Sequence, residues 1–167
     1  GDATTTATGG ANNKSGGGGG GGGQSNDVGE ELKAKGNAAF KSGSFKDAAK
    51  FYTSALEASS SSSSSSANKS TNKWRAVVLS NRAMTRLKLG AYAEAEEDGT
   101  SALKLDPKNV KAYLRRGAAR SVQGNYLEAI TDYEAALRLE PNNKDAKSEI
   151  LRMKNILGES EPTPDFE

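Results

Sequence analysis

Two pairs of nitrogen-bearing side chains stand four residues apart in this sequence. Lys33 precedes Asn37 in ELKAKGNAAF, and Lys111 precedes Arg115 in VKAYLRRGAAR. Residues four apart lie on one face of an α-helix, so the members of each pair can act together. Lysine supplies a point charge, arginine a planar fork of donors, and asparagine neutral donors that fix orientation. Together with Asn81, which lies between the two pairs in LSNRAM, these side chains have the chemistry that binds carboxylates.

An internal repeat indicates how the chain positions these residues. The segment GAYAEAEEDGTSALKLDP, starting at Gly90, aligns with GNYLEAITDYEAALRLEP, starting at Gly124, at a spacing of 34 residues. An earlier copy, GSFKDAAKFYTSALEAS, starts at Gly43, 47 residues before the next, so 13 extra residues separate these two copies. A period of 34 residues is that of the tetratricopeptide repeat, a hairpin of two helices. We therefore predict an all-α fold of three tandem hairpins, an α-solenoid.

Amphipathic segments give the expected helices of the hairpins. The first helices are predicted at Gly29–Ser42, Lys73–Leu89 and Lys108–Gln123, and the second helices at Phe45–Ala58, Ala91–Leu105 and Tyr126–Leu139. A glycine falls where each first helix must end, because glycine adopts the left-handed cap conformation at little cost. These glycines are Gly43, Gly90 and Gly124.

A seventh amphipathic segment follows the third hairpin. Lys144–Leu157 places Ile150, Met153 and Leu157 on one face. We expect this segment to be a capping helix that covers the last exposed apolar edge of the stack.

Low-complexity stretches flank and interrupt the helical region. Residues 1–27 contain the glycine run Gly16–Gly23, and residues 59–72 begin with a run of serines. Such compositions bury too little apolar surface to offset the entropy of ordering. We therefore expect a disordered tail or linker at 1–27 and a disordered insertion at 59–72. The repeat domain is predicted at 28–157, followed by a loose tail at 158–167.

Composition argues against several classes of function. The chain has no cysteine and no histidine, which removes disulfides, thiolate metal sites and the commonest general base. The glycine run lacks the lysine and the helix start of a phosphate-binding loop. No apolar stretch is long enough to span a membrane. We expect a binding protein, with no enzymatic activity, no cofactor and no direct membrane contact by this segment.

Charges are sorted between the two kinds of helix. In a stack of hairpins the first helices line the concave surface and the second helices lie outside. The predicted first helices carry thirteen basic residues against two acidic ones, whereas the second helices carry four against nine. This sorting, which the formal net charge of +2 conceals, predicts a basic inner surface and an acidic outer one, and the inner surface should attract an acidic partner.

The segments ELKAKGNAAF, LSNRAM and VKAYLRRGAAR resemble the carboxylate-clamp tetratricopeptide domains of co-chaperones. The resemblance covers about residues 28–157. It implies an all-helical domain that grips the C-terminal peptide of heat-shock protein 90 or heat-shock protein 70, which end in E-E-V-D. The side chains implied to hold the terminal carboxylate and the last aspartate are Lys33, Asn37, Asn81, Lys111 and Arg115.

Three further residues lie along the same inner helices, one or two turns beyond the clamp positions. They are Phe40, Met84 and Lys88. They could form a side pocket that reads ligand residues upstream of the aspartate, or they could simply pack.

The string KNVKAYLRRGAAR also resembles the C-terminal repeat domain of chloroplast outer-envelope import receptors. The resemblances imply a co-chaperone or a chaperone-docking receptor, located in the cytoplasm or facing the cytosol from an organelle surface. Two other readings remain open: a scaffold that binds partners through its outer face, and a nucleic-acid-binding protein that uses the basic groove. The second has few aromatic residues for stacking on bases, namely Trp74, Tyr113 and Phe40, so we expect no nucleic-acid partner.

Overall fold

The computed structural model describes residues 23–60 and 68–158. These residues form seven α-helices, which we number in chain order. They are α1 (Gly23–Lys41), α2 (Phe45–Ser60), α3 (Lys69–Lys88), α4 (Tyr92–Leu105), α5 (Val110–Val122), α6 (Tyr126–Leu139) and α7 (Lys144–Leu157). Helices α1 and α2, α3 and α4, and α5 and α6 pack as hairpins, and α7 packs on α6. The predicted order of three hairpins and a final helix is confirmed.

The helices around the serine-rich segment are longer than predicted. We expected disorder over 59–72, but Ser59 and Ser60 close α2, and their hydroxyls donate to the carbonyl of Leu56 at 2.7 and 2.9 Å. Helix α3 begins at Lys69 because Asn68 caps it, accepting from the backbone N–H of Thr71 at 2.8 Å. The expectation of disorder is therefore wrong at both ends of this segment, and residues 61–67 lie outside the described residues.

Helix α1 also begins earlier than predicted. It starts at Gly23 rather than Gly29, so the last residues assigned to the tail at 1–27 are helical. Extending an existing helix adds a hydrogen bond for each residue fixed, without a new nucleation cost. Residues 1–22 and 159–167, the rest of the two predicted tails, lie outside the described residues.

Glycines end the first helix of each hairpin, as expected. Gly43, Gly90 and Gly124 have φ values of +79°, +76° and +83°, in the left-handed region that favours glycine. The chain therefore reverses within a few residues, and the second helix of each hairpin starts beside the end of the first.

Small residues let the paired helices approach closely. Ala48, Ala83, Ala95 and Ala129 are each 0% exposed. One apolar cluster extends from the first two hairpins to Ala112 of α5, and another joins α6 to α7.

The capping helix covers the end of the stack, but with fewer of its residues than expected. Met153 is fully buried and Ile150 packs beside it, whereas Leu157, predicted on the same face, is 38% exposed. It is the last residue of α7, so the helix ends where that face leaves the core.

A repeated arginine–aspartate pair locks the second and third hairpins. Arg82 of α3 holds the buried Asp98 of α4 through two hydrogen bonds of 2.7 and 2.9 Å. Arg116 of α5 holds the buried Asp132 of α6 in the same way, at 2.6 and 3.0 Å. The two pairs are related by the 34-residue period. Such bidentate, charge-assisted pairs fix both distance and orientation.

The same two arginines also join each hairpin to the one before it. Arg82 donates to Thr53 of α2 at 2.9 Å, and Arg116 donates to Thr100 of α4 at 3.3 Å. Each guanidinium therefore contacts two helices other than its own, which fixes how consecutive hairpins stack.

These pairs correct the predicted charge distribution. Arg86 also reaches Asp98, at 2.7 Å, and Arg120 bonds both Glu96 and Asp132, at 2.8 and 2.9 Å. Together with Arg82 and Arg116, four of the thirteen cations expected to make the inner surface basic are paired with three acids of the second helices. A count of charges by helix could not detect this, because the pairing occurs between the two helices of a hairpin.

Within residues 23–60 and 68–158, none of the helices combines the length and the hydrophobicity that a membrane span requires.

Replacing Asp98 by asparagine tests the lock between α3 and α4. The substitution leaves two arginines without their carboxylate in a largely desolvated site, so we expect the free energy of unfolding to fall by about 2–3 kcal/mol in urea denaturation. Glu97→Gln, at an exposed position of the same helix, is the matched control and should change it by less than about 0.5 kcal/mol. Equal effects of the two substitutions would contradict the proposed lock.

Candidate functional site: a carboxylate-binding groove

Three of the five predicted clamp residues form one hydrogen-bonded chain across α1, α3 and α5. Arg115 donates from Nη1 to Oδ1 of Asn81 at 3.3 Å, and Nδ2 of Asn81 donates to Oδ1 of Asn37 at 3.3 Å. Both asparagines and Arg115 line one cavity of about 190 Å³. The structure therefore brings together side chains that are separated by 44 and 34 residues in the sequence.

Arg115 differs from its neighbour Arg116 in having no acidic partner among the described residues. Its contacts are Oγ of Ser80, at 2.6 Å, and the amide oxygen of Asn81. Burial lowers the pKa of Arg115 to about 10, so the guanidinium is still charged at neutral pH. A desolvated cation without an anion is unfavourable, and a carboxylate from outside the chain would compensate it. Arg75 also lacks an acidic partner among these residues, but it lines a different cavity.

Lys33 belongs to α1, one turn before Asn37, and is engaged locally. Its Nζ contacts Glu30 at 2.6 Å and lies 5.7 Å from the ring centroid of Trp74. It makes no hydrogen bond to the other clamp residues. Since Glu30 is about half exposed, this ion pair is in contact with water and easily exchanged.

Lys111 lies one turn before Arg115 on α5. It is exposed, and no described residue forms an ion pair with it. It lines a second cavity of about 490 Å³, which adjoins the first because Met84 and Arg115 line both. Lys111 therefore lies beside the small cavity that Asn37, Asn81 and Arg115 line, whereas Lys33 lines neither cavity.

The predicted side pocket is assembled in part. Phe40 and Met84 line the same small cavity as Asn37, Asn81 and Arg115. Phe40 also packs edge-on against Phe45, with ring centroids 5.3 Å apart, so it is both a pocket wall and a packing residue. Lys88 is exposed at the end of α3 and does not line this cavity.

Three contributors to the site were not identified from the sequence. Lys41 lines the small cavity, Ser80 anchors Arg115, and the hydroxyl of Tyr52 donates to Oδ1 of Asn37 at 2.7 Å. The repeat indicates that Tyr52 is a core position, and Ser80 directly precedes Asn81. Neither fact predicts the hydrogen-bond partner of the Tyr52 or the Ser80 hydroxyl.

Gly36 places the Tyr52 ring where its hydroxyl can reach Asn37. A Cβ atom at Gly36 would lie only 2.7 Å from the ring. The absence of a side chain at this position therefore lets the ring pack directly against α1, one residue from Asn37.

No group of three or more metal-ligating residues occurs in the part of the chain that the structure describes. The arrangement offers hydrogen-bond donors and positive charge to a ligand, which suits an anionic group.

Comparisons with known proteins agree with this fold. The family model for the tetratricopeptide repeat matches residues 110–143. The translocon at the outer membrane of chloroplasts 64 from Pisum sativum is 42% identical over 93 residues, which are 56% of this chain and 14% of that protein. The chain spans about a fifth or less of the length of the curated relatives it matches first.

Solved structures match most of the described chain. The TPR domain of Arabidopsis OM64 is 40% identical, with a TM-score of 0.69, over 79% of this chain and 98% of that one. The first TPR of Spaghetti (RPAP3), bound to the HSP90 peptide SRMEEVD, is 34% identical with a TM-score of 0.69, over 80% and 98%. The second TPR domain of human RPAP3, in complex with the HSP70 peptide SGPTIEEVD, is 37% identical with a TM-score of 0.63, over 78% and 96%. With its 34-residue period, three helical hairpins and these matches, the chain belongs to the tetratricopeptide-repeat family.

Proposed function

We propose that the groove between α1, α3 and α5 binds the acidic C-terminal peptide of heat-shock protein 90 or heat-shock protein 70. The observation that carries this proposal is the partly buried Arg115, which is charged at neutral pH and has no acid beside it among the described residues. The neighbouring Arg116 is fully paired with Asp132. One arginine therefore holds the fold together, and the other is free to accept a carboxylate from a ligand.

The five clamp residues divide the work of holding two carboxylates. Arg115 contributes Nε and Nη2, and Asn37 contributes its Nδ2 group, none of which is used within the described residues. Lys111 adds at the rim a charge that has no ion-pair partner in the described part of the chain, and Lys33 exchanges Glu30 for the ligand. Charge-assisted hydrogen bonds of this kind contribute about 1.5–3 kcal/mol each. Ordering a flexible peptide offsets much of that sum, so a Kd of about 1 μM is expected.

The solved neighbours support the class of ligand. Two of them hold peptides with the common ending E-E-V-D, one from HSP90 and one from HSP70. For this chain the small cavity would receive the last aspartate, and Phe40 and Met84 would contact an apolar side chain beside it. Lys41 and Lys88, both exposed at the ends of α1 and α3, would face upstream glutamates.

The cellular role that we propose for the domain requires only that it bind this peptide. We infer that the domain is a co-chaperone module or a docking receptor for chaperones, acting without catalysis on its ligand. The similarity to a translocon component of the chloroplast outer membrane favours a position facing the cytosol.

A scaffold that binds through its outer surface is the second candidate. A cavity of about 770 Å³ between α2, α3 and α4 has an apolar floor of Leu56, Leu79 and Leu105, and the buried Nε of Arg75, on its wall, has no hydrogen-bond partner. Nucleic-acid binding has less support, because four inner arginines are paired with acids and Trp74 and Tyr113 pack against the core.

The first test compares two forms of one peptide. The free acid SRMEEVD should bind with a Kd of about 1 μM, whereas the same peptide with an amidated C-terminus should bind at least tenfold more weakly, because one carboxylate charge is lost. Affinity for the free acid should also fall as salt is raised from 50 to 300 mM. Fluorescence anisotropy with labelled peptides measures both effects, and equal affinities of the two peptides would contradict a carboxylate clamp.

The second test uses the adjacent arginines. Arg115→Leu removes ligand donors, so we expect peptide affinity to fall more than tenfold while the free energy of unfolding falls by no more than about 1 kcal/mol. Arg116→Leu leaves the buried Asp132 short of a partner, so we expect unfolding to become easier by about 3 kcal/mol. In conditions where this variant is folded, its affinity should stay within about threefold of the wild type.

The substitution Lys104→Ala tests whether the peptide binds in the groove or in the outer cavity, because Lys104 of α4 lines the outer cavity. It should leave peptide affinity unchanged. If Lys104→Ala weakened binding and Arg115→Leu did not, the outer surface would be the binding site.

A further inference from the structure

We propose that Tyr52 is a positioning residue that orients the Asn37 amide, so that the groove presents hydrogen-bond donors and no amide oxygen to its ligand. The inference rests on the proposed function, since it explains how the same groove would select a carboxylate over a neutral chain end. Tyr52 is not one of the five clamp residues, and it is separated from Asn37 by 15 residues in the sequence.

The direction of the hydrogen-bonded chain is set at one end by arginine. Arg115 can only donate, so the atom of Asn81 that faces it is the oxygen Oδ1. The Nδ2 group of Asn81 then points to the other side, where it donates to Oδ1 of Asn37. Asn37 is thereby left with its Nδ2 group unused by the described residues.

The Tyr52 hydroxyl sets the direction at the other end. It donates to Oδ1 of Asn37 at 2.7 Å, a shorter bond than the 3.3 Å bond from Asn81. Oδ1 of Asn37 therefore accepts two hydrogen bonds. Rotating the amide by half a turn would leave the hydroxyl hydrogen of Tyr52 without an acceptor among the described residues and would bring Nδ2 of Asn37 against Nδ2 of Asn81, two donors facing each other.

Tyr52 is held firmly enough to act in this way. The residue is 2% exposed, and its ring lies against Gly36, whose missing side chain leaves the space for it. Burial raises the pKa of the Tyr52 hydroxyl above its ordinary value, so it stays protonated and able to donate at neutral pH.

Tyr133 shows that the hydroxyl is not required by the repeat itself. It occupies the same position in the third hairpin, with its ring against Gly117, 16 residues earlier, as Tyr52 has Gly36 16 residues earlier. Its hydroxyl makes no hydrogen bond to any described residue. Both tyrosine rings pack against a glycine, but of the two it is Tyr52 whose hydroxyl forms a hydrogen bond with a clamp residue.

The fixed amide has a consequence for selectivity. A terminal carboxylate only accepts, and it is matched by the donors of Asn37 and Arg115. A terminal amide carries an NH₂ group, which needs an acceptor and meets none in the oriented Asn37. Without the Tyr52 hydroxyl, only the 3.3 Å bond from Asn81 opposes rotation, and Asn37 can offer its oxygen to an amide.

The experiment measures both peptide forms of SRMEEVD, free acid and amidated, with wild type, Tyr52→Phe and Tyr133→Phe. For Tyr52→Phe we expect the Kd of the free acid to rise about five- to tenfold, while the amidated peptide changes less than twofold. The ratio of the two Kd values, amide over acid, therefore falls by at least about 2.5-fold. Tyr133→Phe should keep the wild-type ratio, and thermal denaturation checks that both variants are folded.

A double-mutant cycle tests whether Tyr52 acts through Asn37. In the Asn37→Ala background, adding Tyr52→Phe should change the free-acid Kd by less than twofold. A full additive loss in that background would overturn the inference, as would a Tyr52→Phe variant that weakens both peptides equally. If wild type itself failed to distinguish acid from amide, the proposed function would fall. If wild type did distinguish them and Tyr52→Phe kept the ratio, only the positioning role would fall.

Discussion

The bond between an arginine of a first helix and a buried aspartate of the following helix is the interaction on which the groove depends. Arg82 with Asp98, and Arg116 with Asp132, lock two hairpins internally. Thr53 and Thr100 extend each lock to the preceding hairpin. A buried carboxylate that lost its partner would strongly destabilise the fold, so this geometry is closely constrained. The first helices are thereby held at a fixed separation, and the clamp side chains they carry can meet.

Adjacent arginines on α5 show how one helix serves both the fold and the site. Successive residues of an α-helix point about 100° apart. Arg116 accordingly reaches α4 and α6, whereas Arg115 reaches Ser80 and Asn81 on α3. Arg116 is paired with an acid, whereas Arg115 has only neutral partners among the described residues. Residue type alone does not separate these roles, but the direction in which each side chain leaves the helix does.

The sequence was sufficient to predict the hairpins, because a 34-residue period and the glycines that end each first helix are local signals. The clamp positions came from a resemblance, and the structure places Asn37, Asn81 and Arg115 in one cavity, with Lys111 beside it and Lys33 one turn away. The holding of two carboxylates by these residues stays a prediction.

Other features could not be predicted because they depend on contacts between helices. Counting charges by helix overestimated the basic surface, since pairing such as that of Arg120 with Glu96 and Asp132 joins residues far apart in sequence. The hydrogen bond from Tyr52 to Asn37 depends on how closely two helices pack at Gly36, which no composition or period reports. The prediction of disorder over 59–72 failed at its end for a different reason. Asn68 caps a helix through one local hydrogen bond, which the overall composition of the segment does not indicate.

The loss of stability in the ligand-free groove and its expected affinity for a carboxylate have the same cause, which is the desolvated guanidinium of Arg115. Keeping Arg115 desolvated with no anion among the described residues lowers the stability of the free domain, and a carboxylate bound there would recover that energy together with its own hydrogen bonds. The donors involved are already oriented by Ser80, Asn81 and Tyr52, so the ligand breaks none of the bonds that hold them. Only Lys33 must give up an internal partner, and that partner, Glu30, is about half exposed and cheaply released into water. A fixed set of donors around a desolvated arginine that has no acid beside it among the described residues is thus matched to an acidic chain end, whereas Arg82, Arg86, Arg116 and Arg120 at the hairpin interfaces already contact acids.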